Sequence, residues 1–484
     1  MDTKDEKERI NLPTSLAITV WKELKEKYGV EQRKDNRGYP DWSCTKEELG
    51  LISSLNIKNP VKGSVKGISQ LYNLKSLSVT STGNSEYKRD KDIYTITNND
   101  MKEICDIKGL EDLEINNQFD VTYMDLGKFE NLKSLSVIHN TNLSNIFELN
   151  SQTKLEELTC YGNKSLMKVE GLNQCINQCK DLIELNLDVL LFPESINFNP
   201  KTGEYSKETE EKIVNLANNY GNVTWHEALP GIKSTYKRDS IQINNYQMLK
   251  LHNKCCEVLA ENVPDRASNK DIIIGIEKYL AQNVTYDHNS LKGKNRMASK
   301  DGVAMGPIGG ANGAYNAIML NQCVCEGYTR AMQYLLKLKG INSRNVMCIG
   351  EKDTLNMADG KNETMYTRYN LPDDGYHSII CIEDEFALYC DPCWNAGLYQ
   401  AKNGNKSLPF TLLNKKEIAK THTLSFKERN VANEGITVPR ETIFQSIKSN
   451  ELFKTTRMGN VKQQMQEIRN EKYKGQVIEE RGSK

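Results

Sequence analysis

The chain has 484 residues, 38% of them hydrophobic, with 64 Lys and Arg balanced by 64 Asp and Glu. Domains of about 100 to 200 residues predict two or three cores rather than one. The charge balance gives no global reason to expect nucleic acid or an anionic membrane as a partner, so partners must be read from local features.

The opening MDTKDEKERINLPTSLAITVWKELKEKYG carries charges where a secretory leader needs an apolar run of about 7 to 15 residues, and no run of about 18 apolar residues follows. Thirteen cysteines, an odd number spread along a long chain, read as free thiols in a reducing compartment rather than a disulfide scaffold. The expected location is the cytoplasm, or the cell surface or exterior for a chain trimmed of its leader.

Residues 1–48 read as a helical cap. Leu16, Val20, Trp21, Leu24 and Tyr28 share one helical face that stops at Gly29, and Thr45 with Glu48 offers a capping box for a second helix. Residues 49–235 then hold a repeat: ISSLNIKN from Ile52, LKSLSVTS from Leu74, LEDLEINN from Leu110, LKSLSVIHN from Leu132, LEELTCYGN from Leu155 and LIELNLDV from Leu182. The starts are 22, 36, 22, 23 and 27 residues apart, and the long step contains STGNSEYKRDKDIYTITNNDM, which reads as a polar insertion. Each unit predicts a short strand with alternate residues inward, and stacked units share one core. Asn140 and Asn163 sit where a side-chain amide can bond the backbone of a turn. The region 50–190 resembles bacterial leucine-rich repeat domains, which implies an α/β solenoid that binds a protein partner. SKETEEKIVNLANNYGNVTW reads as a helix and strand closing it, with a boundary near residue 235.

Helical patterns resume in NYQMLKLHNKCCEVLAENV and NKDIIIGIEKYLAQNV, the latter striped by Ile272, Ile273, Ile276 and Leu280. GPIGGANGAYNAIMLNQ is loop then helix, and lacks the lysine and hydroxyl of a phosphate cradle. In NQCVCEGYTRAMQYLLKLKGI, Tyr328, Ala331, Met332, Leu335 and Leu338 follow helical spacing, which places Cys325 at a helix N-terminus. GYHSIICIEDEFALYCDPCW reads as a hairpin. A turn centred on Asp384 would set His377 opposite Asp391, where a carboxylate could orient the imidazole. A cysteine at a helix N-terminus beside an imidazolium is a nucleophile at neutral pH, so Cys325, His377 and Asp391 form a candidate triad.

The segments VCEGYTRAMQYLLKLKGI, GYHSIICI and YCDPCW, in that order, resemble the nucleophile, histidine and aspartate segments of the transglutaminase-like superfamily. The resemblance spans about residues 270–395. It implies a papain-like α+β fold for residues 236–426, and attack on a protein carboxamide through a thioester. Cys393 stands where threonine is usual, and Tyr376 and Ser378 flank His377 where other residues are common. The Cys325 backbone N–H is one expected oxyanion donor, and Tyr286 is the candidate second, ahead of Tyr315.

The expected reaction is peptide hydrolysis on a protein or peptide substrate. Cross-linking or deamidation remains open, as does a catalytically inactive scaffold working through the repeats. No cofactor, metal, nucleic acid or membrane span is expected. Cys323 reads as core, and the CxxC of Cys390 and Cys393 lacks the partners of a zinc site. His288 reads as surface polar, and His139, His226, His252 and His422 have no catalytic context. Asn362 has glycosylation form without meaning in an unexported chain. The loop 351–374 reads as a solvated insertion or a rim over the site, and residues 427–484 as a polar helical or disordered tail.

Overall fold

The computed structural model describes residues 8–82, 94–228, 240–287, 310–350, 354–356, 362–364, 376–383, 387–400, 406 and 408–424. His288, residue 235, the tail 427–484 and most of the loop 351–374 lie outside them. The chain divides into two compact units, residues 1–197 with 205–226, and residues 198–204 with 227–484. Among the described residues no helix is long and apolar enough to cross a membrane.

The first unit begins with helix α1 (Thr14–Tyr28), which buries Leu16, Ala17, Val20, Trp21 and Leu24 and ends where Gly29 takes φ 65°. Tyr28, expected on the apolar face, is exposed. Helix α2 (Lys46–Leu51) starts at a complete capping box: Thr45 Oγ1 accepts from Glu48 N–H, and Glu48 Oε2 accepts from Thr45 N–H.

Six repeat strands follow: β1 (Ser54–Lys58), β2 (Ser76–Thr80), β3 (Asp112–Asn116), β4 (Ser134–Ile138), β5 (Glu157–Tyr161) and β6 (Glu184–Asp188). Every one starts two residues into its sequence repeat. They pair in parallel in chain order, so that Leu55, Leu77, Leu113, Leu135, Leu158 and Leu185 form one ladder. Ile57, Val79, Ile115, Val137, Cys160 and Leu187 form the next, and all twelve side chains are buried. A strand needs two such positions to cover one face, and the repeat supplies both. Short return segments, including helices α3 (Asn98–Cys105) and α4 (Leu172–Gln178), bury Ile104 and Ile176 behind the sheet. The expected polar insertion ends differently from its reading. Thr97 and Asp100 make a second capping box, and Met101 is already core.

Buried amides stitch the turns of neighbouring repeats. Asn140 Nδ2 donates to the Ile115 carbonyl at 2.7 Å while its backbone N–H donates to Asn163 Oδ1 at 2.9 Å, and Asn163 Nδ2 donates to the Val137 carbonyl at 2.8 Å. Helix α5 (Lys207–Asn219), capped by Ser206, and strand β7 (Val223–Ala228), paired in parallel with β6, follow the last repeat.

In the second unit, helices α6 (Asn245–Asn262) and α7 (Asn269–Asn283) precede a two-residue strand β8 (Thr285–Tyr286), helix α8 (Ala314–Met319), strand β9 (Gln322–Cys323) and helix α9 (Cys325–Leu338). Next come β10 (Ser343–Gly350), β11 (Tyr376–Ile382), β12 (Leu388–Cys390), helix α10 (Pro392–Gln400) and β13 (His422–Leu424). The four long-range strands form an antiparallel sheet in the order β12, β11, β10, β13. Helix α9 packs on β10 and β11 and is enclosed by α6, α7, α8 and α10. Nearly all of it is buried, including Tyr334 and Leu336 outside the predicted stripe, as expected of a helix covered on several sides.

Candidate active site

Cys325 is the first residue of α9, where the N–H groups of the opening turn have no partner within the helix. Strand β9 delivers it. Cys323 pairs in parallel with Tyr286, and Asp287 N–H donates to the Cys323 carbonyl. Gly327 lets this entry approach the helix: a Cβ there would stand 2.4 Å from Cys323 Cβ and 2.6 Å from the Ala311 carbonyl oxygen. Eleven of the thirteen cysteines are buried, and Cys325 and Cys256 are partly exposed. Cys323 is fully buried and its thiol is pushed well up by that burial.

His377 lies on β11 opposite Cys348 of β10. The hairpin register differs from the expected one: Ile380 faces Cys390 and Ile382 faces Leu388, so each β11 residue meets a partner two positions later than expected. Asp391 therefore follows the end of β12, diagonal to His377 rather than opposite it. A diagonal pair is still within reach of two polar side chains, and His377 Nε2 meets Asp391 Oδ2 at 2.9 Å. The other carboxylate oxygen, Oδ1, accepts from the Trp394 N–H at 2.9 Å, capping α10. One aspartate thus fixes both a helix start and an imidazole.

The electrostatics follow from that geometry. Burial is the largest influence on His377 and lowers its pKa. Attraction to Asp391, the hydrogen bond to it and the influence of Cys325 outweigh it, leaving the imidazole up at about 10. Burial likewise works against the Asp391 charge, but His377 and a second histidine hold the carboxyl well below its usual range. Cys325 also raises the His377 pKa, so the sulfur and Asp391 both act on the one imidazole.

The second histidine is His422, which no sequence pattern singles out. Its Nε2 lies 3.1 Å from Asp391 Oδ2, and the Trp394 ring stacks on His377 at 5.3 Å and tilts over His422 at 4.3 Å. The reading of His422 as lacking catalytic context is therefore corrected. It lies 31 residues beyond Asp391 in sequence, and β13 brings it back by pairing with β10. His377, Asp391 and His422 are also the one group among the described residues whose ligand atoms converge tightly enough to hold a metal, within 4.8 Å. Those same atoms hydrogen-bond one another, so the group is satisfied as it stands.

Ser378, singled out beside His377, has a visible task. It bonds Thr329 of α9 at 2.9 Å and Asn345 of β10 at 3.0 Å, and Asn345 Nδ2 also reaches Thr329 at 3.0 Å and Glu326 at 3.2 Å. This buried network ties the residue after Cys325 to the residue after His377. Tyr286 lies beside the strand entering Cys325, while Tyr315 is buried in α8. Cys390 and Cys393 are buried, with Cys390 against Glu277. His226 stacks on Tyr161, and His252 bonds the Tyr334 hydroxyl, both away from Cys325's partners.

No protein-family model matches the sequence, and no curated protein matches it. Among solved structures, it is similar to an internalin from Listeria monocytogenes (21% identity, TM-score 0.25, 36% of this chain and 42% of that one). It is also similar to a protein from Cytophaga hutchinsonii described as a candidate cysteine protease (12% identity, TM-score 0.20, 36% and 46%). A TGase is the third (10% identity, TM-score 0.22, 42% and 50%). The chain spans half or less of each of these proteins.

Proposed function

We propose that the chain is a cysteine-nucleophile enzyme of transglutaminase-like type that acts on protein carboxamides through a thioester, with peptide hydrolysis as the net reaction. In this reading residues 1–48 are a cap, 49–235 leucine-rich repeats that recruit a protein substrate or partner, and 236–426 the papain-like catalytic domain, with 427–484 as a tail. The observation that carries it is the buried 2.9 Å contact of His377 with Asp391, with the partly exposed Cys325 at the start of α9 acting electrostatically on the same imidazole.

The Cys325 sulfur attacks the carbonyl carbon, and the resulting oxyanion receives the Cys325 backbone N–H and the Tyr286 hydroxyl. His377 gives its proton to the departing amine as the thioester forms. It then takes a proton from water as water's oxygen displaces the sulfur, releasing the acid and restoring Cys325. Asp391 orients the ring and stabilises its cationic form throughout.

The test uses a peptide library and an unfolded protein mixture, with a labelled primary amine present, read by mass spectrometry. New chain termini mean hydrolysis, deamidated glutamines mean side-chain hydrolysis, and labelled glutamines mean amine transfer. Products should appear with the intact chain and vanish in Cys325→Ala. No product from either chain, with partner capture through residues 50–190 kept in both, would leave the scaffold reading in its place.

A further inference from the structure

A carboxylate that orients one imidazole needs only one, and Asp391 has two. His377 Nε2 and His422 Nε2 reach the same Oδ2, at 2.9 and 3.1 Å. His377 is 3% exposed, and His422 and Asp391 are 0% exposed. A buried carboxylate oxygen accepts hydrogen bonds, so His422 must present an Nε2–H to it. In the neutral ring Nδ1 is then an acceptor, and the Thr421 hydroxyl at 2.9 Å is placed to donate to it. That hydroxyl's other option, the Ile418 carbonyl, is farther away at 3.3 Å. Burial, with repulsion from His377, lowers the pKa of His422 against the raising effects of Asp391 and the Ile418 carbonyl, which agrees with a neutral ring. Trp394 tilts over the ring at 4.3 Å and Phe410 stands edge-on to it at 6.0 Å.

We propose that His422 is a positioning residue for the reaction: a second, neutral imidazole that shares Asp391 with His377 and holds the carboxylate where it keeps His377 turned toward Cys325. The proposal rests on the Cys325–His377–Asp391 reading above. Other ionisable groups acting on this pair are Cys325 from α9, Glu277 from α7, and Cys393 two residues beyond Asp391. None of them donates to Asp391 Oδ2 in place of His422. Loss of the second donor frees the carboxylate to turn out of line with the His377 ring, and a misaligned carboxylate holds His377 less well as the cation that partners the sulfur.

The measurement is the rate at which limiting iodoacetamide alkylates Cys325, mapped by mass spectrometry from about pH 5 to pH 8. It uses the full chain as wild type, His422→Phe, His422→Gln and Thr421→Val, with circular dichroism for folding and zinc content by mass spectrometry. His422→Phe keeps an aromatic ring against Trp394 and Phe410 but has no donor. Its acid limb should move up by about one pH unit, a tenfold slower reaction at the acid end. His422→Gln, whose amide can donate, should recover most of the difference. Thr421→Val, which removes the donor to Nδ1, should move the limb the same way, and it carries the test if His422→Phe does not fold.

Unchanged profiles in the folded variants would reduce His422 to packing and overturn the proposal. One zinc per chain in the wild type, lost in His422→Phe, would overturn it in favour of a metal site. Cys325 labelling no faster than Cys256 in the wild type would instead remove the triad itself, and the role of His422 with it.

Discussion

Replacing Asp391 by Asn tests the buried pair at its centre. The carboxylate receives two imidazole N–H groups and one backbone N–H, and it is fully buried. An asparagine oxygen can still cap Trp394, but its NH2 then faces two N–H donors. Breaking a buried ion pair of this kind costs about 3 to 5 kcal/mol. The pH dependence gives the sharper signature. His377 is raised from 6.5 to about 10, so its contribution is complete below pH 6.5 and is lost as pH rises through 10. Asp391 is depressed, so its contribution is complete above its ordinary value of 3.8 and is lost on acidification through its lower folded value. The two windows overlap between pH 3.8 and 6.5, where the variant should be weakest relative to wild type. Above that range the difference should shrink by about 1.4 kcal/mol per pH unit. Hydrogen–deuterium exchange of peptides covering residues 376–382, corrected for intrinsic rates, reads this locally. Asp391→Asn should exchange about a hundredfold to several thousandfold faster at pH 6, and within about 15-fold of wild type at pH 9. Equal protection at pH 6, or a difference that does not change with pH, would refute the ion pair.

Three further outcomes follow from other contacts. Gly327→Ala places a methyl against Cys323 and the Ala311 carbonyl. It should cost about 1 to 3 kcal/mol and slow Cys325 alkylation while circular dichroism stays near wild type. Asn163→Ala strips partners from the Val137 carbonyl and the Asn140 N–H, at about 1 to 3 kcal/mol for each buried group. Exchange should then accelerate in β4 and β5 before it does in the second unit. Glu277, raised to about 8 chiefly by burial, destabilises the fold increasingly from pH 4.5 to pH 8, because it retains a proton the unfolded chain has released. Glu277→Gln should therefore stabilise the second unit by up to about 4 kcal/mol at pH 8, and by less than about 1 kcal/mol at pH 5, as read by urea unfolding at the two pH values.

The repeat strands were legible because one physical demand recurs in each of them: alternate side chains must meet the ladder above and below. That demand fixes residue type at two positions per unit and leaves the starts aligned. Asn140 and Asn163 were legible for a related reason, since a buried turn must satisfy its own backbone. The helix at Asn98 was not, because the charged run before it masks a capping box whose apolar residues come only at Met101 and Ile104. The candidate triad was legible as a set of residue types in context, but its register was not. Hairpin pairing is not set by local pattern, and a register two residues later than expected moved Asp391 from facing His377 to diagonal, with the contact kept by side-chain reach. His422 left no local signal at all. It sits on a three-residue strand whose position is set by pairing with β10, and no periodicity around it points to Asp391.

Two buried carboxyl groups in the second unit are shifted in opposite directions from their ordinary ranges, and the charge of their donors explains the split better than depth or donor count. Glu277 and Asp391 are both 0% exposed. Asp391 has three N–H donors, one of them on an imidazole that becomes cationic beside it. Glu277 has the Asn395 amide, the Thr411 hydroxyl and the Cys390 thiol, none of them charged, and it feels repulsion from Asp391. An interior of low polarity supports one anion where it is best hydrogen-bonded and keeps its neighbour protonated. The anion is thereby confined to the carboxylate that touches His377. It follows that Asp391→Asn should release Glu277 from part of its upward shift, since the charge opposing its ionisation is gone. In that background the stabilisation by Glu277→Gln at pH 8 should fall below its value in wild type. Strict additivity of the two substitutions would mean that the carboxyl groups do not sense each other, and that burial alone sets Glu277.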